Sequence, residues 1–348
     1  MMVTLGTDAH KKSHTIVAVD ETGTETGSIQ VQATTQGHLK ALGWASQWPQ
    51  RRWAIEDCRQ VSRRLETELL MAGETVVRVA PKLMAQVRKS ARTRGKSDPI
   101  DALATARAAL REPDLPTARL DGPSREVKLL ADYRERLIRE RTATQNSLRW
   151  RLHELDPTIG PPAGSLDRYK TLDQIEVSLE GHTGMTADLA RRELARIRDL
   201  TREANQLRGD ISRRIARTAP SLLKIVGCAE LTAAKLVGEA ADITRFTSRD
   251  AYANWNGTPP IPVWSGDHRR HRLNRGGNRQ TNAAIHRIAI TQARCHPPAQ
   301  AFIAKRIAAG DDKKGAIRAL KRQLSDVVYK AITQDAINQQ QDTSAHAA

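Results

Sequence analysis

The opening third of the chain alternates between short apolar runs and amphipathic stretches, and that alternation limits the folds open to it. "VTLGTD" (residues 3–8) and "TIVAV" (15–19) read as strands, and "SIQVQA" (28–33), after the turn-rich "ETGTETG", alternates like a third. A helix is expected over about residues 35–47. "RRWAIED" reads as a short apolar strand ending in acids, and "SRRLETELLMAG" as an amphipathic helix stopped at Gly73. "ETVVRVA" supplies a fifth strand, broken off by Pro81, and a helix beginning near Pro99 closes the unit. The order is β-β-β-α-β-α-β-α.

That is the element order of ribonuclease H and RuvC-like domains, and it gives the acidic residues a common destination. Asp8 ends the first expected strand, Glu56 ends the fourth, and Asp98 and Asp101 begin the last helix. In a sheet of this kind the first and fourth strands are neighbours and the last helix packs beside them, so the four carboxylates converge. Asp57 rivals Glu56, because alternation from Trp53 leaves the face open. In "KSDPIDALATARAAL", Asp98 suits an N-cap, Pro99 the first helical position, and Asp101 the first turn. The same spacing sets two carboxylates on one helix face, where they repel unless a cation lies between them. Oxygen ligands of this kind suit Mg²⁺ or Mn²⁺. Both roles are compatible.

Past "EPDLP" the pattern changes. Residues 124–155 and 187–217 carry narrow apolar seams (Ile197, Leu200, Ala204, Leu207, Ile211 and Ile215 in the second), as in coiled-coil helices, with Pro/Gly-rich "DPTIGPPAGS" between them. "SLLKIVGCAELTAAKLVGEA" reads as a helical hairpin, and residues from about 279 to 336 as helices. Between these lies the loop-rich "NWNGTPPIPVWSGDHRRHRLNRGGNRQ". The expected class is therefore α/β plus all-α: a ribonuclease H/RuvC-like domain (1–118), a helical coiled-coil segment (119–218), a mainly helical C-terminal domain (219–335) and a polar, disordered tail (336–348).

Charge identifies the partner class. The 348 residues carry a formal net charge of +17. Basic residues outnumber acidic ones by 17 to 13 in residues 1–118, 20 to 16 in 119–218 and 19 to 10 in 219–348. An excess concentrated at one end points to a polyanion, most simply nucleic acid. Two stretches stand out. "KLMAQVRKSARTRGK" (82–96) has six Lys/Arg and no acid, with Arg88, Lys89, Arg92 and Arg94 as backbone-phosphate candidates. From Ser265 to Arg279 there are five arginines (Arg269, Arg270, Arg272, Arg275 and Arg279), two histidines and one acid. The three cysteines, Cys58, Cys228 and Cys295, show neither zinc spacing nor a disulfide framework, which fits a reducing, cytoplasmic compartment. No signal-peptide core and no membrane span is expected.

"GTDAHKKSHTIVAVDETG", "AIEDCRQVSRRLETELLMAGETVVRVAP" and "KSDPIDALATA" together resemble the N-terminal domain of DEDD transposases of the insertion-sequence-110 type. The segment from "IVGCAELTAAKLVGEA" through "HRRHRLNRGGNRQTNAAIHRIAI" resembles the C-terminal transposase domain of the same family. The resemblance implies that Asp8, Glu56, Asp98 and Asp101 bind metal, and that Ser265, in "WSG", is the nucleophile. It also implies a DNA recombinase that joins donor and target DNA with a bridge RNA of the element as guide. Such an enzyme acts as a homo-oligomer, a dimer or tetramer, in the cytoplasm and on the nucleoid, with acid site and serine on different protomers. Two rivals remain: a RuvC-like structure-specific nuclease, which needs the acids but not Ser265, and an inactive nucleic-acid-binding relative.

Overall fold

The computed structural model describes the chain apart from residues 57–59, 81–82, 85–96, 113–114, 116, 266–267, 273, 275 and 348, and only the backbone of residues 262–272 and 342–347. The chain divides into two compact units, Met1–Asp121 and Gly122–Ala348.

The first unit is built on a mixed sheet of β1 (Val3–Ala9), β2 (Ser13–Val19), β3 (Glu25–Gln32), β4 (Arg51–Glu56) and β5 (Val76–Val79), in the order β3-β2-β1-β4-β5. β1, β2 and β3 pair antiparallel through short turns; β4 joins β1 and β5 joins β4 in parallel. Parallel neighbours need crossovers. These are the helices α1 (Thr35–Ala45) and α2 (Arg63–Met71), and α3 (Asp98–Arg111) follows β5. This is the RuvC-like arrangement expected from the sequence.

The two faces of the sheet are packed differently. Leu5, Ile16, Trp53 and Ile55 bury large side chains against Ala41 and Ala45 of α1 and Leu65 and Leu69 of α2. The opposite face meets the alanines of α3: Val17 and Val19 pack on Ala102 and Ala106, and Ala54, Val77 and Val79 on Ala104, Ala108 and Ala109. α3 approaches so closely that a Cβ on Gly6 of β1 would strike the Ala102 carbonyl oxygen and lie 2.6 Å from the Ala106 Cβ. Small residues on both partners allow that approach, and it fixes the position of the N-terminus of α3.

The second unit is helical apart from one ribbon. α4 (Pro123–Leu155) and α6 (Met185–Thr218) are the two long helices, with α5 (Tyr169–Leu179) between them. Leu148 and Leu152 meet Leu172, Leu179, Leu194 and Ile197 in one core. Val127, Ile211 and Ile215 instead join the core made by α7 (Glu230–Ala240), α8 (Arg249–Asn256), α9 (Arg279–Cys295), α10 (Pro297–Ala308) and α11 (Lys313–Ala347). The ends of the long helices thus share their core with the C-terminal helices, which is why residues from 122 onward form one unit. Two expectations change here. The loop-rich stretch contains a two-stranded ribbon, β6 (Ile261–Ser265) and β7 (His268–Arg272). The tail expected to be disordered instead continues α11 as far as Ala347, because residues 336–347 hold neither Gly nor Pro and are rich in Gln and Ala, which favour helix.

Candidate metal centre and cationic ribbon

Register and packing bring the four predicted acids to one end and one face of the sheet. Side chains alternate along a strand. On β1, Gly6 lies against α3, so Asp8, two residues on, faces the same way. On β4, Ala54 belongs to the α3 face and Trp53 and Ile55 to the other, so Glu56 faces α3. The parallel register pairs Thr7 with Ile55, and its next step sets Asp8 beside Glu56. This phase puts Glu56 on the α3 face; its rival Asp57 lies outside the described residues. Asp98 and Asp101 occupy the first turn of α3.

The cap assignment shifts by one residue. Ser97, in extended conformation, is the N-cap and makes no side-chain capping bond, while Asp98 is the first helical residue. The Asp98 carboxylate is instead directed to a residue that the sequence reading missed: His10. Its Nε2 lies 3.1 Å from Asp8 Oδ2 and 3.3 Å from Asp98 Oδ1. Ligand atoms of Asp8, His10 and Asp98 all fall within 4.8 Å of one another. Glu56 and Asp101 stand outside that tightest group. The signal for His10 was present in "DAH", where a spacing of two puts residues on one side of an extended chain.

Electrostatically the cluster is under strain. Asp8 is only 7% exposed, and burial raises its carboxyl above the ordinary range. His10 opposes that shift by charge and hydrogen bond, while Asp101 and Asp98 add to it. Asp101 is itself 6% exposed. A buried carboxylate crowded by two others is a natural seat for a cation. The donors are carboxylate oxygens with one imidazole, a set that fits a hard divalent ion.

The second predicted element lies in the other unit. Ser265 is the last residue of β6 and pairs with His268 in the ribbon; Trp264, Val263 and Ile261 pair with Arg269, Arg270 and Arg272. Arg279 opens α9 and is exposed. Arg275, and Arg88, Lys89, Arg92 and Arg94, lie outside the described residues. The ribbon is held at its base by close backbone contact: a Cβ on Gly277 would run into the backbone of Gly257, which itself needs φ +70°, and the Asn278 amide donates to the Trp255 carbonyl at 2.7 Å.

A RuvC-like sheet with acids gathered at one end is followed by a helical unit with a basic ribbon, and family comparison supplies the class. Residues 5–157 match the DEDD transposase model of the IS110 type, and residues 219–304 match the transposase model of the IS116/IS110/IS902 family. The chain belongs to the IS110-type DEDD transposases. It is 27% identical over 329 residues to the insertion element IS116 uncharacterized 44.8 kDa protein of Streptomyces clavuligerus, covering 78% of this chain and 80% of that one. Among solved structures it is similar to Thermus thermophilus RuvC (16% identity, TM-score 0.28, 34% of this chain and 100% of that one). It is also similar to T. thermophilus RuvC in complex with a Holliday junction substrate (18% identity, TM-score 0.26, 32% and 94%). Among the described residues no helix is long and apolar enough to cross a membrane.

Proposed function

We propose that this transposase cuts and rejoins DNA strands at the ends of its element, with Asp8, Glu56, Asp98 and Asp101 as the metal-binding acids and Ser265 as nucleophile. The observation that supports the reading is the phase of the first unit, in which two strand ends and one helix start turn toward the same face. Mg²⁺ (or Mn²⁺) bound there would neutralise charge on the phosphoryl oxygens of the strand being cut. The acids hold it, and His10 orients Asp8 and Asp98.

In the strand step, Ser265 Oγ attacks the scissile phosphorus. A new P–O bond forms to Oγ as the bond to the leaving deoxyribose oxygen breaks. The serine proton passes to a base, and the leaving oxygen takes up a proton as a hydroxyl. Because the phosphoserine is an ester of similar energy to the bond broken, reversal onto a different hydroxyl rejoins the strands. The arginine-rich strand β7 carries charge suited to the developing phosphoryl anion. Donor and target DNA are the substrates, a bridge RNA of the element is the guide, and a dimer or tetramer supplies both kinds of site.

The test is an adduct. End-labelled element-end DNA, incubated with the protein, its element's RNA and Mg²⁺, should give a protein–DNA species that survives denaturing electrophoresis and maps to the peptide containing Ser265. Ser265→Ala should lose the adduct and retain nucleic-acid binding. Cleavage without an adduct, by wild type or by Ser265→Ala, would instead indicate hydrolysis and a resolvase-like nuclease.

A further inference from the structure

The base of the ribbon holds a group of cations centred on Lys321, which the reading above does not use. Lys321, on α11, is only 8% exposed, and its ammonium donates to Asn282 Oδ1 at 2.6 Å. That partner is a neutral amide. Among the described residues no carboxylate forms an ion pair with Lys321, whereas its neighbour Arg322 is paired with both Asp250 and Asp326. The groups acting on Lys321 are cations. Burial first, then Arg318 and Arg279, push its ammonium below the ordinary value. His286 is lowered by burial and then by Lys321. Glu239, which accepts from Asn278 Nδ2 beside Arg279, is already engaged by Lys128.

The arrangement follows from two helix faces. Arg279, Asn282 and His286 recur at three and four residues on α9, and Arg318, Lys321 and Ser325 do the same on α11. Such spacings share one side of a helix. Arg279, His286 and Arg318 are exposed, so they form a mouth open to solvent over the buried ammonium. The floor is tied to the ribbon: Asn282 Nδ2 donates to the Asn256 carbonyl at 2.9 Å, and Asn256 Nδ2 to Ser325 Oγ at 2.8 Å, just before the chain leaves for β6. A buried ammonium among like charges lowers stability unless an anion completes it.

We infer that Lys321, Arg279, Arg318 and His286 form a phosphate-binding pocket that holds a backbone phosphodiester of the DNA strand on which the ribbon serine acts. The inference rests on the reading of Ser265, because the ribbon sets the scale. Ser265 lies four steps along β6 from Ile261, a span of roughly 13 Å at about 3.3 Å per residue. The pocket therefore grips the strand a few nucleotides from the scissile bond. Lys321 is a positioning residue, not a catalytic one.

The test needs no chemistry, so it is separable from the fate of Ser265. Affinity of the full chain for a single-stranded DNA oligonucleotide of arbitrary sequence is measured against salt concentration. Each phosphate contact contributes about 0.7 to the logarithmic slope. Lys321→Met, which keeps the buried stem, should lower the slope by about that amount without lowering the unfolding temperature, since it relieves like-charge repulsion. Arg318→Ala, at an exposed position, should lower the slope likewise and decides the matter if Lys321→Met fails to fold. Unchanged slopes for both variants would overturn the pocket. A drop seen with an RNA of the same sequence and absent with DNA would overturn the assignment to the DNA strand. A fall in slope together with loss of the Ser265 adduct from wild type would leave the pocket standing and remove the serine; an adduct with unchanged slopes would do the reverse.

Discussion

The acidic face of the first unit and the cationic mouth of the second are built by the same device with opposite signs. In each, helix and neighbouring backbone approach closely through small residues or amides, and the approach crowds like charges. Gly6 and the alanines of α3 bring Asp8, Asp98 and Asp101 together; Asn256, Asn282 and the Gly257–Gly277 contact bring Lys321 to Arg279 and Arg318. They differ in how the charge is relieved. The acids have an internal hydrogen-bond partner in His10, whose Nε2 bridges two of them. The described cations have only a neutral amide. Acids tied to one another by a shared partner stay ordered before their ligand arrives, whereas a lone buried ammonium depends on the ligand more heavily.

The largest effect should come from emptying the acid side. Asp8→Asn keeps the shape, removes one charge and breaks the ligand set. Strand cleavage should fall by more than ~100-fold, the upper range for loss of a group that merely orients a ligand. Thermal stability without metal should hold or rise, because the buried repulsion at Asp8 is gone. A variant that cleaves at the wild-type rate in Mg²⁺ would show that the acids do not act as one site. Chelation of wild-type protein should reproduce the loss, and added Mg²⁺ or Mn²⁺ should reverse it.

His10→Ala separates the two designs more finely. If His10 orients Asp8 and Asp98, its removal should reduce cleavage by about 10–100-fold and raise the concentration of metal needed for half-activity. Unchanged metal dependence would leave His10 as a surface residue beside the site. His10 also shows where sequence reading stops. The β-β-β-α-β-α-β-α order placed Asp8, Glu56, Asp98 and Asp101 because strand and helix periods are regular. The choice of Glu56 over Asp57 required knowing that Trp53 packs toward α1 and α2. The small residues of "DALATARAAL" matched to Gly6 and Ala54 carried that information, since only small residues permit so close a helix. The ribbon was not legible: "HRRHR" has none of the β-branched or aromatic residues that mark a strand, and it is extended because "IPVWS" pairs with it. The cationic mouth was illegible for another reason, as Arg279 and Lys321 lie on separate helices and only packing unites them.

Gly6→Ala tests the close approach itself. The added methyl collides with the Ala102 carbonyl and the Ala106 side chain, so α3 must move or the unit must open. Overpacking of this kind costs about 1–3 kcal/mol or more. Cleavage should fall along with stability, because α3 carries two of the acids. If the melting temperature drops while cleavage is untouched, the position of α3 is not what sets the site.

The smallest effect concerns the other face of the same sheet, where a buried polar chain provides a contrast to the acids. His38 Nδ1 is 2.6 Å from Glu68 Oε2, and His38 Nε2 is 3.1 Å from His14 Nε2. With Glu68 ionised, His38 donates from Nδ1 and accepts at Nε2, so neutral His14 donates from Nε2 and its buried Nδ1 has no partner. Burial, then His38 and His10, push the His14 imidazole down to about 4. The unfolded chain takes up that proton near pH 6.5, before the folded chain does. Stability from this group is therefore complete above about pH 6.5 and is lost as pH falls toward about 4, by at most about 3 kcal/mol. His14→Gln removes the titration and retains an amide that can donate to His38. Between pH 7 and pH 4.5 the melting temperature of wild type should fall further than that of His14→Gln. Equal falls would mean that His14 is charged in the folded chain at the lower pH, and that acid sensitivity arises elsewhere.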